Sequence, residues 1–114
     1  MQALHNLSCK DSSISAEPVN ENEIAAFLDT LNNWQYNQAD KVISCYYQFK
    51  NYEQTLKFIN HIAEIAIEQD HHPEIQFGYN YCSIKYSTHE INHVTIKDLI
   101  CAAKIEQLHT PNPK

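Results

Sequence analysis

No apolar run in the 114 residues approaches the length that crosses a bilayer, so no membrane segment is expected. The opening Met1-Gln2-Ala3-Leu4-His5 has no basic start and runs into Asn6, Ser8, Lys10 and Asp11 rather than an apolar stretch. A secretory signal is therefore not expected, and a cytoplasmic address follows. Cys9, Cys45, Cys82 and Cys101 include no Cys-x-x-Cys pair, which argues against a zinc ribbon or a disulfide frame and for reduced thiols packed as small apolar residues. Positive charge is scarce: eight Lys and Arg against fourteen acidic residues leave a net charge of -6, which repels phosphate backbones. No basic patch offsets it, so no nucleic-acid partner is expected.

Apolar residues make up 43% and charged residues 19%, a globular balance in a chain long enough for one compact domain. Residues 1–18 lack periodicity and are serine-rich, which predicts a flexible arm before a single domain over 19–109 and a tail over 110–114. Asn20 with Glu23 reads as a capping box, and Ile24, Phe27, Leu28 and Leu31 form a helical stripe from about Glu21 to Leu31. Trp34 and Tyr36 open a strand, Asn37 to Asp40 turns, and Ile43, Cys45, Tyr47 and Phe49 alternate on a second strand. From Tyr52 to about Gln69 the period becomes helical, with Leu56, Ile59, Ala63 and Ala66 on one face and a solvated His61 on another. After Pro73, Ile75, Phe77 and Tyr79 alternate, and Cys82, Ile84 and Tyr86 continue the period in a paired strand. Thr95 caps a last helix, with Asp98 at its third position, that runs to about Leu108. Helix-strand-strand occurs twice before that helix, which predicts an α+β domain: a four-stranded antiparallel sheet with three helices on one face.

Seven histidines are many for this length, and three sit in two short motifs at element ends. His71 and His72 close the long helix, and His89 follows the last strand. An imidazole titrates near neutrality and can give or take a proton there. Other readings stay open from the residues alone. A His-His pair at a helix end can simply be a cation near the negative end of the dipole. His89 can be a strand-end residue satisfied by backbone. A metal site from His71, His72 and His89 with Cys82 or His93 is chemically conceivable, although the spacing matches no known zinc motif.

Asp70-His71-His72-Pro73-Glu74, then Tyr79-Asn80, then Ser87-Thr88-His89-Glu90, then Asp98 nine positions after His89, resemble the signature of the pterin-4a-carbinolamine dehydratases. The similarity runs from about Asn20 to Leu108 and includes the Trp34 strand, the Phe49-Lys50-Asn51-Tyr52 junction and Glu68-Gln69-Asp70. The resemblance implies a dehydratase that converts a 4a-hydroxytetrahydropterin to quinonoid dihydropterin and water, recycling the cofactor of an aromatic amino acid hydroxylase. It implies no metal or bound cofactor, and a homodimer or homotetramer. By position, His71 and His89 resemble the acid/base histidines and His72 the one that helps bind the pterin. Asp70, Pro73, Ser87, Thr88 and Glu90 match positions lining the pocket, and Asp98 matches a supporting one, capping the last helix or orienting a histidine. Ile75 stands where relatives often have an aromatic residue, and Ile91-Asn92-His93 replaces a segment that often contains glycine. Some animal members also serve as dimerisation cofactors of a transcription factor, so a non-catalytic binding module is the alternative reading.

Overall fold

In the computed structural model, residues 4–11, 14, 17–31 and 33–108 are described. The elements are a 3-10 turn (Leu4–Asn6), α1 (Glu21–Leu28), β1 (Trp34–Asn37), β2 (Val42–Gln48), α2 (Tyr52–Gln69), β3 (Glu74–Phe77), β4 (Tyr81–Tyr86) and α3 (Ile96–Glu106). The strands form one antiparallel sheet in the order β1-β2-β4-β3, the α+β arrangement that the alternation predicts. Pairing sets Ile43 opposite Tyr86, Cys45 opposite Ile84 and Tyr47 opposite Cys82. These six, with Trp34 on β1, form the buried face, packed against Ile24, Phe58, Ile62, Leu99, Ile100 and Ile105 of the helices. Burying each such side chain contributes about 1.5–3 kcal/mol, so the sheet register is fixed by its apolar face. Trp34 is buried against this core with its indole N–H unpartnered among the described residues.

The helix starts follow capping chemistry. Asn20 accepts from the Glu23 N–H at 2.8 Å, and Asn51 accepts from the Gln54 N–H at 2.9 Å. α3 carries the full reciprocal box of Thr95 and Asp98. α1 is shorter than its apolar stripe predicts: it ends at Leu28, where Thr30 and Leu31 donate N–H bonds back three residues and tighten the chain. β3 likewise stops at Phe77 rather than Tyr79. The chain's single glycine, Gly78, turns there, and a Cβ at that position would run into the Tyr81 ring.

The buried face of α2 is Thr55, Phe58, Ile62, Ala66 and Gln69, rotated from the predicted stripe of which only Ala66 is fully buried. Two polar residues are tolerated inside because backbone groups satisfy them. The Thr55 hydroxyl lies 2.9 and 3.1 Å from the Asn51 and Tyr79 carbonyls, and Gln69 Oε1 accepts the Cys9 N–H at 2.7 Å. The described part of the predicted flexible arm is thus packed. Cys9 is buried in the core, Lys104 Nζ donates to the His5 carbonyl at 2.9 Å, and Pro18 and Val19 pair with the chain before α3. The predicted tail, 110–114, lies outside the described residues.

Candidate active site

α2 ends in a closure that aims the chain at the site. Asp70 takes the left-handed conformation (φ 52°, ψ 43°), the Asp70 N–H bonds to the Ile67 carbonyl, and the His71 N–H reaches back to the Ala66 carbonyl at 3.1 Å. This pair of bonds is the Schellman motif, in which the left-handed position normally falls to glycine; aspartate is one of the few other residues that tolerates it. Pro73 then sends the chain extended into β3.

His71 is fixed on three sides. Its ring stacks on Tyr86 at 5.4 Å between centroids, and the Tyr86 hydroxyl donates to the His71 carbonyl at 2.9 Å. Burial pushes the Tyr86 phenol far above its usual range, so it remains a donor. His71 Nε2 lies 2.6 Å from Oδ1 of Asp98, which is fully buried, while the His71 side chain is 12% exposed. The other carboxylate oxygen, Oδ2, accepts the Thr95 N–H at 2.8 Å and the Thr88 hydroxyl at 2.9 Å. Thr88 Oγ1 is in turn 2.8 Å from Thr95 Oγ1. An ionised carboxylate only accepts, so Nε2 is the protonated ring nitrogen and Nδ1 of a neutral His71 is left as the acceptor. Asp98 therefore both caps α3 and orients His71.

A cleft of about 400 Å3 opens beside this pair, lined by Asp70, His71, His72, Pro73, Glu74, Ser87, His89 and Glu90. That volume falls in the range of small-molecule sites. The cleft collects both histidine motifs, which twelve residues separate in the sequence. His72 and His89 are exposed, and among the described residues no side-chain hydrogen bond holds either ring. Thr88 is not in the lining: only 4% exposed, it stands behind the wall with its hydroxyl turned to Asp98 and Thr95. Ile75 pairs with Ile84 and packs against the core, so it does not line this cleft. The loop after His89 closes through Thr88 N–H to His93 carbonyl and Asn92 N–H to Thr88 carbonyl, both 2.8 Å, with Asn92 at φ 58° supplying the left-handed turn that glycine often gives.

Sequence reasoning missed Tyr86 as a neighbour of His71, reading it as one more inward apolar position. It also passed over Glu74 as part of the wall. The metal set does not assemble: among the described residues no three His, Cys, Asp or Glu side chains are grouped to hold an ion. Cys82 is sealed on the inner sheet face, its thiol pushed up to about 12 by burial, and His93 Nδ1 sits 3.0 Å from the Val94 carbonyl.

The sequence model described as "Pterin 4 alpha carbinolamine dehydratase" matches residues 17–108. A protein of Nitrosospira multiformis, provisionally named as a pterin-4-alpha-carbinolamine dehydratase, is 41% identical over 100 residues, covering 88% of this chain and 87% of its own. One of Legionella pneumophila with the same provisional name is 37% identical over 106 residues, covering 92% and 94%. A crystal structure of a transcriptional coactivator/pterin dehydratase from Brucella melitensis superposes with a TM-score of 0.74 at 30% identity, covering 78% of this chain and 95% of that one. A pterin dehydratase-like RuBisCO assembly factor of the alpha-carboxysome shares the fold, with a TM-score of 0.57 at 22% identity over 66% of this chain and 87% of its own.

Proposed function

The chain belongs to the pterin 4 alpha carbinolamine dehydratase family, and from that membership we propose that it removes water from a 4a-hydroxytetrahydropterin to give quinonoid dihydropterin. The observation that carries the reading is the cleft in which His71, His72 and His89 meet, with Asp98 behind His71. Loss of water requires a proton delivered to the departing hydroxyl, because hydroxide leaves poorly, and a proton taken from the pterin ring. An imidazole can both give and take a proton, so His71 and His89 are assigned the acid/base work. His71 acts through Nδ1, since Asp98 holds Nε2. His72, with Asp70, Pro73, Ser87 and Glu90, is assigned to binding the pterin. Thr88 acts one step removed, as a positioning residue through Asp98.

The same reading makes the protein a cytoplasmic homodimer or homotetramer that serves an aromatic amino acid hydroxylase. The alternative, a binding module for a regulatory partner, draws on the coactivator named in the Brucella melitensis structure. The presence of all three histidines in one cleft favours dehydration. The deciding experiment mixes the chain with a pterin-dependent phenylalanine hydroxylase, phenylalanine and tetrahydropterin, and follows the ultraviolet band of the carbinolamine. Decay faster than in buffer supports the proposal; decay at the buffer rate defeats it.

A further inference from the structure

Cys9 and Cys101 lie 92 residues apart in sequence, yet their sulfurs are 3.8 Å from each other in the core. Cys101 is on α3, one turn after Asp98, and Cys9 comes from the lead-in before α1, outside the stretch that matches the family. The contact is built. The Cys9 N–H is held by Gln69 at the last residue of α2, and Cys9 Sγ is 3.5 Å from the Lys97 carbonyl. A disulfide needs the sulfurs about 2 Å apart, a closure of less than two ångströms that side-chain rotation and a small shift of the lead-in can provide.

We infer that Cys9 and Cys101 form a modification site in which a peroxide-class oxidant converts the two thiols to an intramolecular disulfide. Cys9 is the attacking sulfur: the bond from the Cys101 thiol, helped by the nearby Lys97 cation, outweighs the opposing effect of burial, so its proton is lost more readily than that of an ordinary cysteine. Cys101, whose proton is held by that same bond and by burial, is the resolving partner. In the first step the Cys9 thiol takes one oxygen from the peroxide, giving a sulfenic acid and one water. In the second, the Cys101 sulfur displaces the hydroxyl, which leaves with the Cys101 proton as a second water. Two electrons pass from the two sulfurs to the peroxide, and the ledger of atoms closes without any other reactant.

Access follows from how the lead-in is held. Residues 8–11 form a turn closed by Asp11 N–H to the Ser8 carbonyl, outside every helix and strand, so the segment can open locally without disturbing the sheet. The remaining two thiols are protected. Cys45 and Cys82 sit inside the sheet face, and burial raises both well above the usual thiol range. The site does not depend on the dehydratase reading, since neither cysteine lines the cleft and the step involves no pterin.

The test treats the full chain with hydrogen peroxide, denatures it under alkylating conditions, and maps disulfides by peptide mass. The expected result is a fall from four titratable thiols to two, loss of the mass of two hydrogens, a single Cys9–Cys101 linked peptide pair, and full reversal by dithiothreitol. Cys9→Ser and Cys101→Ser each abolish the intramolecular link. Because the wild-type map alone decides the pairing, the inference survives a variant that fails to fold. Four thiols after treatment, a Cys45–Cys82 link, or a stable oxygen adduct on Cys9 with Cys101 still free would each overturn it.

Discussion

His71 and His89 line the same cleft from the ends of α2 and β4, but they are held in opposite ways. His71 is clamped by a stacked tyrosine, a Schellman turn and a buried carboxylate that itself answers to two threonines. His89 stands exposed on a loop, with no side-chain hydrogen bond among the described residues. Under the proposed dehydration, the difference separates two tasks. A group that must present one chosen nitrogen is fixed in tautomer by a shell that cannot move, whereas a group that meets the ligand from solvent needs only to be within reach.

The strongest way to break this contrast is to delete each ring. His71→Ala should slow carbinolamine decay by about 10^2 to 10^4-fold, the span typical of a lost general acid or base. It should also lower stability by roughly 1–3 kcal/mol in urea melts, because Asp98 is left buried with one partner missing. His89→Ala should slow the reaction too, while stability stays within about 0.5 kcal/mol of wild type. Equal destabilisation by the two would show that exposure does not divide them as described.

Next in size is Asp98→Ala, which removes an α3 cap and strands the Thr95 N–H and Thr88 hydroxyl. A loss of about 2–4 kcal/mol is expected from chemical denaturation. Asp98→Asn keeps the shape but can offer a donor to Nε2. Nitrogen-15 shifts of the His71 ring should then report a change of protonated nitrogen, and an unaltered tautomer would remove Asp98 from its orienting role.

A smaller effect belongs to Thr88→Val, which keeps the volume and deletes one donor to Asp98. Roughly 1–2 kcal/mol of stability should go, with a shifted pH-rate profile and little change in KM. A changed KM at constant kcat would return Thr88 to the substrate wall. The smallest effect is Asp70→Gly. Glycine relieves the left-handed backbone and removes an acid from the negative end of α2, so the melting temperature should rise by the equivalent of about 0.5–1 kcal/mol. A fall would mean that Asp70 is held by more than the turn.

The fold was legible in the sequence because each strand alternates cleanly and the first and last helices announce their caps: Ile43-Cys45-Tyr47 and Cys82-Ile84-Tyr86 face inward as their period requires. The cleft was legible through contiguous motifs at element ends. What escaped depends on partners distant in sequence. The buried stripe of α2 includes Thr55 and Gln69, which look solvent-facing until Tyr79 and Cys9 arrive to satisfy them. Thr88 reads as a pocket residue by its place between Ser87 and His89, but its direction is set by Asp98 ten residues on. Cys9 lies in a stretch without periodicity, where pattern carries no information about packing.

Trp34, the chain's only tryptophan, lies on the edge strand β1, at the far side of the sheet from β3. Its indole is buried in an apolar setting with no partner for the N–H among the described residues, the condition for short-wavelength emission that moves to the red when water arrives. The molecule thus carries a built-in optical gauge of whether its sheet is intact, placed where a ligand in the histidine cleft does not touch it. Emission then reads whether the whole fold is intact, independently of any assay of the cleft.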